Sequence, residues 1–306
     1  MSQSPFRDPL TFLNLPQSRD FDSSDVAILG IPFDCARDST RFGPRQGPNA
    51  VRHASVLTRN LLEDAEPNPL QTLTVVDAGN VDLPMDNISG AFRQIEAAMD
   101  RILEADCTPV GIGGDGSVSL PQMRALHRRH GAFAVLHFDA HTDAWPVEQS
   151  GQHSNANQFT FAQTEQLLDL EAAVHIGTRG PVNAIGNIRY AESLGYRVIP
   201  FDDYRRQGQE SLLDGLRRIV GEKPVFVCYD MDFFDPAVAP GVATPTPGGA
   251  MPEEGLALMR GLQGLNVIGI DINTVTPVHD AGGATATLAA SLLAEALAVL
   301  AARGGA

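Results

Sequence analysis

The sequence contains few cysteines and no uninterrupted run of about 18 uncharged apolar residues. Its three cysteines, Cys35, Cys107 and Cys228, are odd in number and far apart, which argues against a disulfide framework and against a C-x-x-C zinc site. A membrane helix needs about 18 or more apolar residues in succession, and the first residues lack the basic and apolar segments of a secretory signal. These absences predict a cytoplasmic protein with reduced thiols.

Basic residues are also scarce. The chain has 22 lysines and arginines against 37 aspartates and glutamates, and its formal net charge is −15. Such a charge disfavours binding to nucleic acid and to anionic membranes, and it favours the approach of a cationic small molecule. The same charge also serves solubility alone, and composition does not choose between these interpretations.

Short β-rich segments alternate along the chain with longer segments whose apolar residues recur every three or four positions. This alternation is typical of parallel strands joined by crossover helices that cover both faces of a sheet. It predicts a three-layer α/β fold with a mostly parallel sheet of eight strands. The predicted strands are residues 26–32, 73–77, 109–113, 133–139, 173–177, 197–201, 225–230 and 267–271, and predicted helices include 88–105, 122–129, 211–220, 252–262 and 285–303.

A length of 306 residues suits one large α/β domain, and no linker or internal repeat divides the chain. The first two dozen residues are polar enough to form an arm. We therefore predict an N-terminal arm at residues 1–24 and a single domain at residues 25–306. Sheets of this kind bind ligands beyond the carboxyl ends of their strands.

Two of the predicted strands end in closely spaced aspartates and a histidine. LHFDAHTD, at residues 136–143, supplies Asp139, His141 and Asp143, and VFVCYDMD, at residues 225–232, supplies Asp230 and Asp232. Alternate residues of an extended segment point to the same side, so each group can converge beyond its strand end. Crowded carboxylates raise each other's pKa unless cations lie between them. The pattern predicts two divalent cations that share bridging carboxylates.

Further motifs occur in an order that is specific to one known family. They are LGIPFD (29–34), RFGPRQGPNAVR (41–52), GGDGS (113–117), HIGTRG (175–180), CYDMDFFDP (228–236) and PGVATPTPGG (240–249). With HFDAHTD, this series resembles the ureohydrolase family, which includes arginases, agmatinases, guanidinobutyrases and guanidinopropionases. The resemblance covers nearly the whole chain. It implies an arginase-like fold and a dinuclear Mn²⁺ or Ni²⁺ cluster whose bridging water attacks a guanidinium carbon, releasing urea or an equivalent amide.

The resemblance also implies a role for each acidic or histidine ligand. Asp139 and Asp230 correspond to the bridging carboxylates. His141 and Asp232 correspond to ligands of one metal, and Asp143 corresponds to a ligand of the other.

The first departure from the family lies at Gly116, where the family has the histidine of G-G-D-H-S as its remaining ligand. The metal beside Asp143 therefore loses its only nitrogen donor and keeps carboxylate ligands. Because ions such as Mn²⁺ accept oxygen ligands completed by water, we expect this second metal position to be weak or empty.

The second departure concerns the substrate. Family members commonly have a glutamate that holds the guanidinium, in a pattern like D-x-x-E-V-x-P, and Thr274 stands at that position. A neutral hydroxyl cannot form the bidentate charged bond that a guanidinium favours. We therefore expect a substrate group other than an arginine-like guanidinium held in the usual way, with Thr274 beside it. His279 lies where relatives close the substrate pocket, and it is a further candidate for substrate binding.

The third departure concerns proton transfer, for which many relatives use the histidine of an H-G-T-x-F-like segment. Here the segment is GQHSNANQF, at residues 151–159, and counting forward from Asp143 selects His153, whereas counting back from Phe159 selects Asn155. A histidine there could protonate a leaving amine. An asparagine could only hydrogen-bond to the substrate. The candidate catalytic residues are Asp143 and His153, with Asn155 as a candidate for substrate binding.

Two functions follow from the resemblance. The first is metal-dependent hydrolysis of a linear C–N bond in a guanidino, amidino or biguanide-like compound, and the five retained ligands favour it. The second is a degenerate subunit that supports an active paralogue in a mixed oligomer, and Gly116 and Thr274 favour it. In either case the resemblance implies a trimer or hexamer.

Overall fold

The computed structural model describes residues 9–57, 68–147, 152–182 and 185–304, and a single sheet of eight strands forms its centre. The strands are β1 Val26–Gly30, β2 Val75–Asn80, β3 Thr108–Ile112, β4 Phe133–Phe138, β5 Leu168–Ile176, β6 Arg197–Ile199, β7 Val225–Asp230 and β8 Val267–Asn273. Their spatial order is β2-β1-β3-β8-β7-β4-β5-β6. Every neighbouring pair is parallel, so all carboxyl ends meet at one edge of the sheet.

Helices cover both faces of the sheet, because successive side chains of each strand point to opposite sides. In β1, Val26 and Ile28 join one buried cluster, whereas Ala27 and Leu29 join the other. On the first face lie α1 Gly47–Ser55, α2 Pro69–Thr72, α7 Phe201–Gln207, α8 Gln209–Val220, α9 Pro252–Arg260 and α10 Ala284–Ala301, and on the second lie α3 Ile88–Glu104, α4 Ser119–His130, α5 Gln158–Thr164 and α6 Asn187–Ser193.

The predicted fold class is confirmed, and the sheet is wholly parallel. The predicted boundaries differ from the observed ones in every strand except β7. Strand β5 begins at Leu168, five residues earlier than predicted, because its first half is too polar to show a strand pattern. The predicted strand at residues 197–201 stops at Ile199, since Pro200 precedes a helix that starts at Phe201.

Helix α10 is apolar around most of its circumference, which is typical of a helix enclosed by a protein core. The helical segment Ala281–Ala301 is long and apolar enough to cross a membrane by length and composition, but 78% of its most apolar window is buried inside the protein. Helix α10 packs between α1 and α9. It is therefore a core helix, in agreement with the helix predicted at residues 285–303.

The described part of the N-terminal segment lies against the domain. Phe12 and Leu13 are buried in the cluster on the first face, and the Phe12 amide donates to Asp77 Oδ2 at 2.7 Å. Gln17 forms a parallel bridge with Asp77, beside β2. The division into an arm at residues 1–24 and a domain at residues 25–306 stays a prediction.

Candidate metal centre

The two acidic motifs meet because β4 and β7 are neighbours in the sheet. Phe138 pairs with Tyr229 in the parallel register, so Asp139 and Asp230 follow side by side at the carboxyl edge. Both carboxylates are almost fully buried. The topology thus brings together the residues that were predicted from two distant motifs.

One group of side chains has the composition and spacing of a cation site. The ligand atoms of Asp139, His141 and Asp232 lie within 4.8 Å of one another. His141 Nδ1 is 3.2 Å from Asp139 Oδ1 and 3.1 Å from Asp232 Oδ2. Two carboxylates and one imidazole are suitable ligands for a divalent transition metal. These residues therefore fit one cation, with Asp230 beside them.

The pKa values of the aspartates reflect their crowding. Burial, and then the charge of Asp232, raise the pKa of Asp230 well above its ordinary value. Burial and the charge of Asp139 raise the pKa of Asp232. Burial also opposes ionisation of Asp139, but His137 and His141 outweigh it and hold the pKa of Asp139 below its ordinary range. A cation at this centre would relieve the repulsion that raises the other two values.

A pair of buried histidines supports Asp139 from inside the sheet. His137 Nε2 is 2.9 Å from Asp139 Oδ2, and His137 Nδ1 is 2.8 Å from His175 Nδ1. Burial, and then the charge of His137, lower the pKa of His175 well below its ordinary value. The sequence indicates this contact, because His137 and Asp139 are two positions apart in an extended segment and their side chains point to the same side. Partners of this kind orient a metal ligand.

The Asp143 side of the centre is arranged differently. Gln158 Nε2 donates to Asp143 Oδ2 at 2.5 Å, and the Gly116 amide donates to Asn155 Oδ1 at 2.5 Å. A Cβ atom at Gly116 would lie 2.9 Å from Asn155 Oδ1, 2.9 Å from Gln158 Nε2 and 3.2 Å from Asp143 Oδ2. Carboxamide groups therefore fill the space toward which a side chain at position 116 would point.

The surroundings of Asp143 are less suited to a second cation than Asp139, His141 and Asp232 are to the first. His137, Asp139 and Asp143 do place ligand atoms within 4.8 Å of one another. However, both ring nitrogens of His137 already contact other groups, namely Asp139 and His175. Gln158 was not among the residues predicted from the sequence. The only sequence signal for it is its place in the segment between Asn155 and Phe159.

The structure distinguishes His153 from Asn155. Asn155 lines the cleft beside Asp143. The ring of His153 instead lies between two aromatic rings, with centroid distances of 5.1 Å to Phe92 and 4.1 Å to Phe161. Burial, and then the charge of Arg124, lower the pKa of His153. His153 is therefore not among the residues that line the cleft, whereas Asn155 is, and which of the two corresponds to the family's proton-transfer histidine stays a prediction.

The two other substrate-binding candidates lie apart from each other. Thr274 is buried, has a positive φ of 66°, and donates its hydroxyl hydrogen to Asp230 Oδ1. It thus lies directly beside a predicted metal ligand. His279 is exposed on the short 3₁₀ helix Pro277–His279, and it is not among the described residues that line the cleft at Asp143.

A cleft of about 290 Å³ opens above the centre. His141 and Asp143 form its floor, and Trp145 forms part of its wall. An adjoining cavity of about 300 Å³ shares His141, Trp145 and Val182 with this cleft. The other residues that line the cleft are Asp38, Thr40, Asn155, Ala156, Pro181, Val182, Thr244, Pro245, Thr246 and Pro247.

A parallel sheet that presents aspartates and a histidine in this arrangement defines a metal-dependent hydrolase of the ureohydrolase class. The chain belongs to the Arginase family, whose sequence model matches residues 24–299. This match confirms the predicted resemblance, which covered nearly the whole chain.

Individual relatives show the same class. The chain is 36% identical over 290 residues to the mitochondrial guanidino acid hydrolase of Homo sapiens, covering 95% of this chain and 82% of that protein. It is 35% identical over 292 residues to guanidinopropionase of Pseudomonas aeruginosa, covering 95% and 91%. The solved structure of proclavaminate amidinohydrolase from Streptomyces clavuligerus has a TM-score of 0.93 at 35% identity, covering 98% of this chain and 100% of that chain. The predicted class, an enzyme acting on C–N bonds of linear amidino compounds, is confirmed.

Proposed function

We propose that this chain hydrolyses a linear C–N bond in a cationic guanidino, amidino or biguanide-type small molecule. The observation that supports this most directly is the group formed by Asp139, His141 and Asp232, of which His141 lines the cleft. We assign Asp139, His141, Asp230 and Asp232 as ligands of a divalent cation, Mn²⁺ or Ni²⁺. When bound, such a cation polarises the electrophilic carbon and lowers the pKa of water.

The remaining residues of the cleft bind and orient the substrate in this proposal. Asp143 faces the cleft and is the carboxylate placed to take up a proton from the attacking water. Asn155 Oδ1 accepts a hydrogen bond from the Gly116 amide, and its second lone pair can accept from an amidino N–H of the substrate. Thr274 acts on the substrate only indirectly, since its hydroxyl holds Asp230 in place. His279 remains a candidate for closing the pocket.

The charge of the cleft indicates the class of substrate. Asp38 and Asp143 line the cleft, and the described residues of its lining include no arginine or lysine. A substrate with a carboxylate tail would therefore meet no opposite charge there, whereas a cationic compound would be attracted. Two arginines line the adjoining cavity: Arg179 already donates to the carbonyl oxygens of Asp232 and Thr246, whereas Arg189 is the cation that a carboxylate tail reaching into that cavity would meet.

A comparison of turnover tests this proposal. We expect biguanides and amidines to be hydrolysed with higher kcat/KM than guanidino acids, because the cleft is acidic. Arginine and agmatine should be poor substrates, because Thr274 offers no charge to a guanidinium. The measurement is kcat/KM for each compound with protein whose metal content has been verified. Efficient hydrolysis of 3-guanidinopropionate or of arginine would contradict the assignment.

A second role, support of an active paralogue in a mixed oligomer, is favoured by one observation: carboxamides fill the space at Gly116. In that case the purified chain would be inactive with either metal, and activity would appear only with a paralogue that has histidine at this position. Asp139→Asn in this chain would then leave the turnover of the mixed complex nearly unchanged. If the chain is itself the catalyst, the same change abolishes turnover.

The assembly and location of the chain are also proposed rather than established. We propose a trimer or hexamer, as the family resemblance implies. We further propose a cytoplasmic location, which is supported by Cys35, Cys107 and Cys228, all buried as free thiols. No partner among nucleic acids is expected, because the net charge is −15.

A further inference from the structure

The environment of Asp143 contains a group that the assigned cation site does not use. Gln158 is 1% exposed, its Nε2 donates to Asp143 Oδ2 at 2.5 Å, and its Oε1 is buried without a hydrogen-bond partner. Gln158 is the first residue of helix α5. From there its side chain reaches Asp143 at the metal centre.

The position of this carboxamide coincides with the place of the missing histidine. A Cβ atom at Gly116 would point to within 2.9 Å of Gln158 Nε2, a distance that real Cβ atoms essentially never show. Asn155 Oδ1 lies equally close on the other side. The glycine and the two amides are thus complementary in shape, and a histidine side chain at position 116 would have to displace both amides.

We propose that the carboxamide of Gln158 replaces the second divalent cation of the centre. A neutral donor beside Asp143 supplies a hydrogen bond where a cation would supply charge, so the chain holds a single cation at Asp139, His141 and Asp232. This inference rests on the proposed cation site and extends it. It also gives Asp143 a partner in this chain: Asp143 accepts a hydrogen bond from Gln158, although position 116 offers no histidine to share a cation with it.

The proposal leads to a test based on metal stoichiometry. Gln158→Glu is nearly isosteric and turns the donor into an acceptor, which places two carboxylates together and recreates a demand for a cation. We expect the wild-type chain to bind one Mn²⁺ per chain and Gln158→Glu to bind two, as measured by plasma mass spectrometry after dialysis and by calorimetric titration with Mn²⁺. The matched control is Gln163→Glu, a change of the same type on the same helix at a half-buried position. It should bind as the wild type does.

A second pair of variants tests whether Gln158 and Asn155 fill the space that a side chain at position 116 would need. Gly116→His alone must displace the ends of the Gln158 and Asn155 side chains, so it should add an ion only at a higher Mn²⁺ concentration than Gly116→His combined with Gln158→Ala. Gly116→His combined with Gln163→Ala should behave as Gly116→His alone does. Circular dichroism confirms that each variant is folded, and Gln158→Glu decides the question if the double variant does not fold.

The possible outcomes separate this inference from the proposed function. Two ions in the wild type, or no gain of an ion in folded Gln158→Glu, would overturn the role of Gln158. A wild-type chain without any bound ion would refute the cation site of the proposed function. The role of Gln158 would then still be judged by whether Gln158→Glu gains one ion over the wild type.

Discussion

Asp139 is the residue on which most contacts of the metal centre converge. Its Oδ1 accepts from the His141 amide at 2.6 Å and lies 3.2 Å from His141 Nδ1. Its Oδ2 lies 2.9 Å from His137 Nε2. Since Oδ1 accepts a hydrogen bond and the side chain is buried, this carboxylate is oriented before any ligand binds, whereas Oδ2, although near His137, is left without a hydrogen-bond partner. This preorganisation is what a metal ligand requires.

The first prediction concerns a single residue and the substitution Asp139→Asn. The amide is similar in shape but has no charge, so we expect loss of the bound cation and a fall in kcat/KM of more than about 100-fold, since even the outer partners of metal ligands are worth about 10–100-fold. Metal content and turnover are measured on the same preparation. Asp202→Asn, at an exposed position of α7, is the control. Retention of metal by Asp139→Asn would show that this carboxylate is not a ligand.

Helices α9 and α10 are joined by a contact that combines burial with charge. Glu295 of α10 is 5% exposed, and Arg260 at the end of α9 donates to it at 2.5 Å. Burial raises the pKa of Glu295 above its ordinary value, although Arg260 acts in the opposite direction. A carboxylate on an otherwise apolar helix therefore depends on one arginine for its charged form.

The second prediction concerns this contact between two helices and the substitution Arg260→Ala. A carboxyl whose pKa is raised in the folded state costs stability when pH exceeds its unfolded value, and removal of its cation enlarges this cost. We expect a loss of about 1–2 kcal/mol at pH 7, less than for a fully buried pair because the arginine side chain is half exposed. The loss should shrink as pH falls toward 4.5, the ordinary pKa of a glutamate. Urea denaturation at both pH values gives the two differences.

The control for this change is Arg206→Ala, which removes an exposed pair with Asp203 within α7. Exposed pairs contribute about 0–1 kcal/mol, and the effect of this variant should show little pH dependence. An equal loss at pH 7 and pH 4.5 in Arg260→Ala would mean that Glu295 is not the source of the effect.

In the whole molecule, the net charge of −15 and the grouping of aspartates at one edge of the sheet both raise the electrostatic free energy of the folded state. Folding brings Asp139, Asp143, Asp230 and Asp232 into one buried region, which costs electrostatic free energy in the absence of a cation. Because a cation binds the folded state and not the dispersed ligands of the unfolded chain, metal binding and global stability are linked.

The third prediction is that chelation lowers the Tm of the whole chain. At a free metal concentration about 100 times Kd, binding stabilises the folded state by about 2.7 kcal/mol. At about 2–4 °C per kcal/mol for large domains, this corresponds to a fall of about 5–10 °C with EDTA. Differential scanning calorimetry with EDTA, and then with restored Mn²⁺ or Ni²⁺, measures it. The Tm of Asp139→Asn should not change with EDTA. If the wild-type Tm changed neither with EDTA nor with restored metal, the chain would hold no resident cation.

Much of the fold and of the metal centre follows from the sequence. The β-rich segments and their separation by helical patterns predicted all eight strands, because buried parallel strands are continuous apolar runs. The proposed ligands Asp139, His141, Asp230 and Asp232 were selected by a spacing of two, because alternate residues at a strand end face one side. Both inferences depend only on local periodicity, which a sequence displays directly.

Other features were decided by the tertiary structure. The sequence left His153 and Asn155 as alternatives, and the tertiary structure places Asn155 in the lining of the cleft and packs His153 against Phe92 of a distant helix. The sequence also showed that Gly116 lacks a histidine, but not that Gln158, 42 positions along the chain, fills the space. Local patterns determined which groups reach the edge of the sheet, whereas contacts between segments far apart in sequence determined which of them face one another.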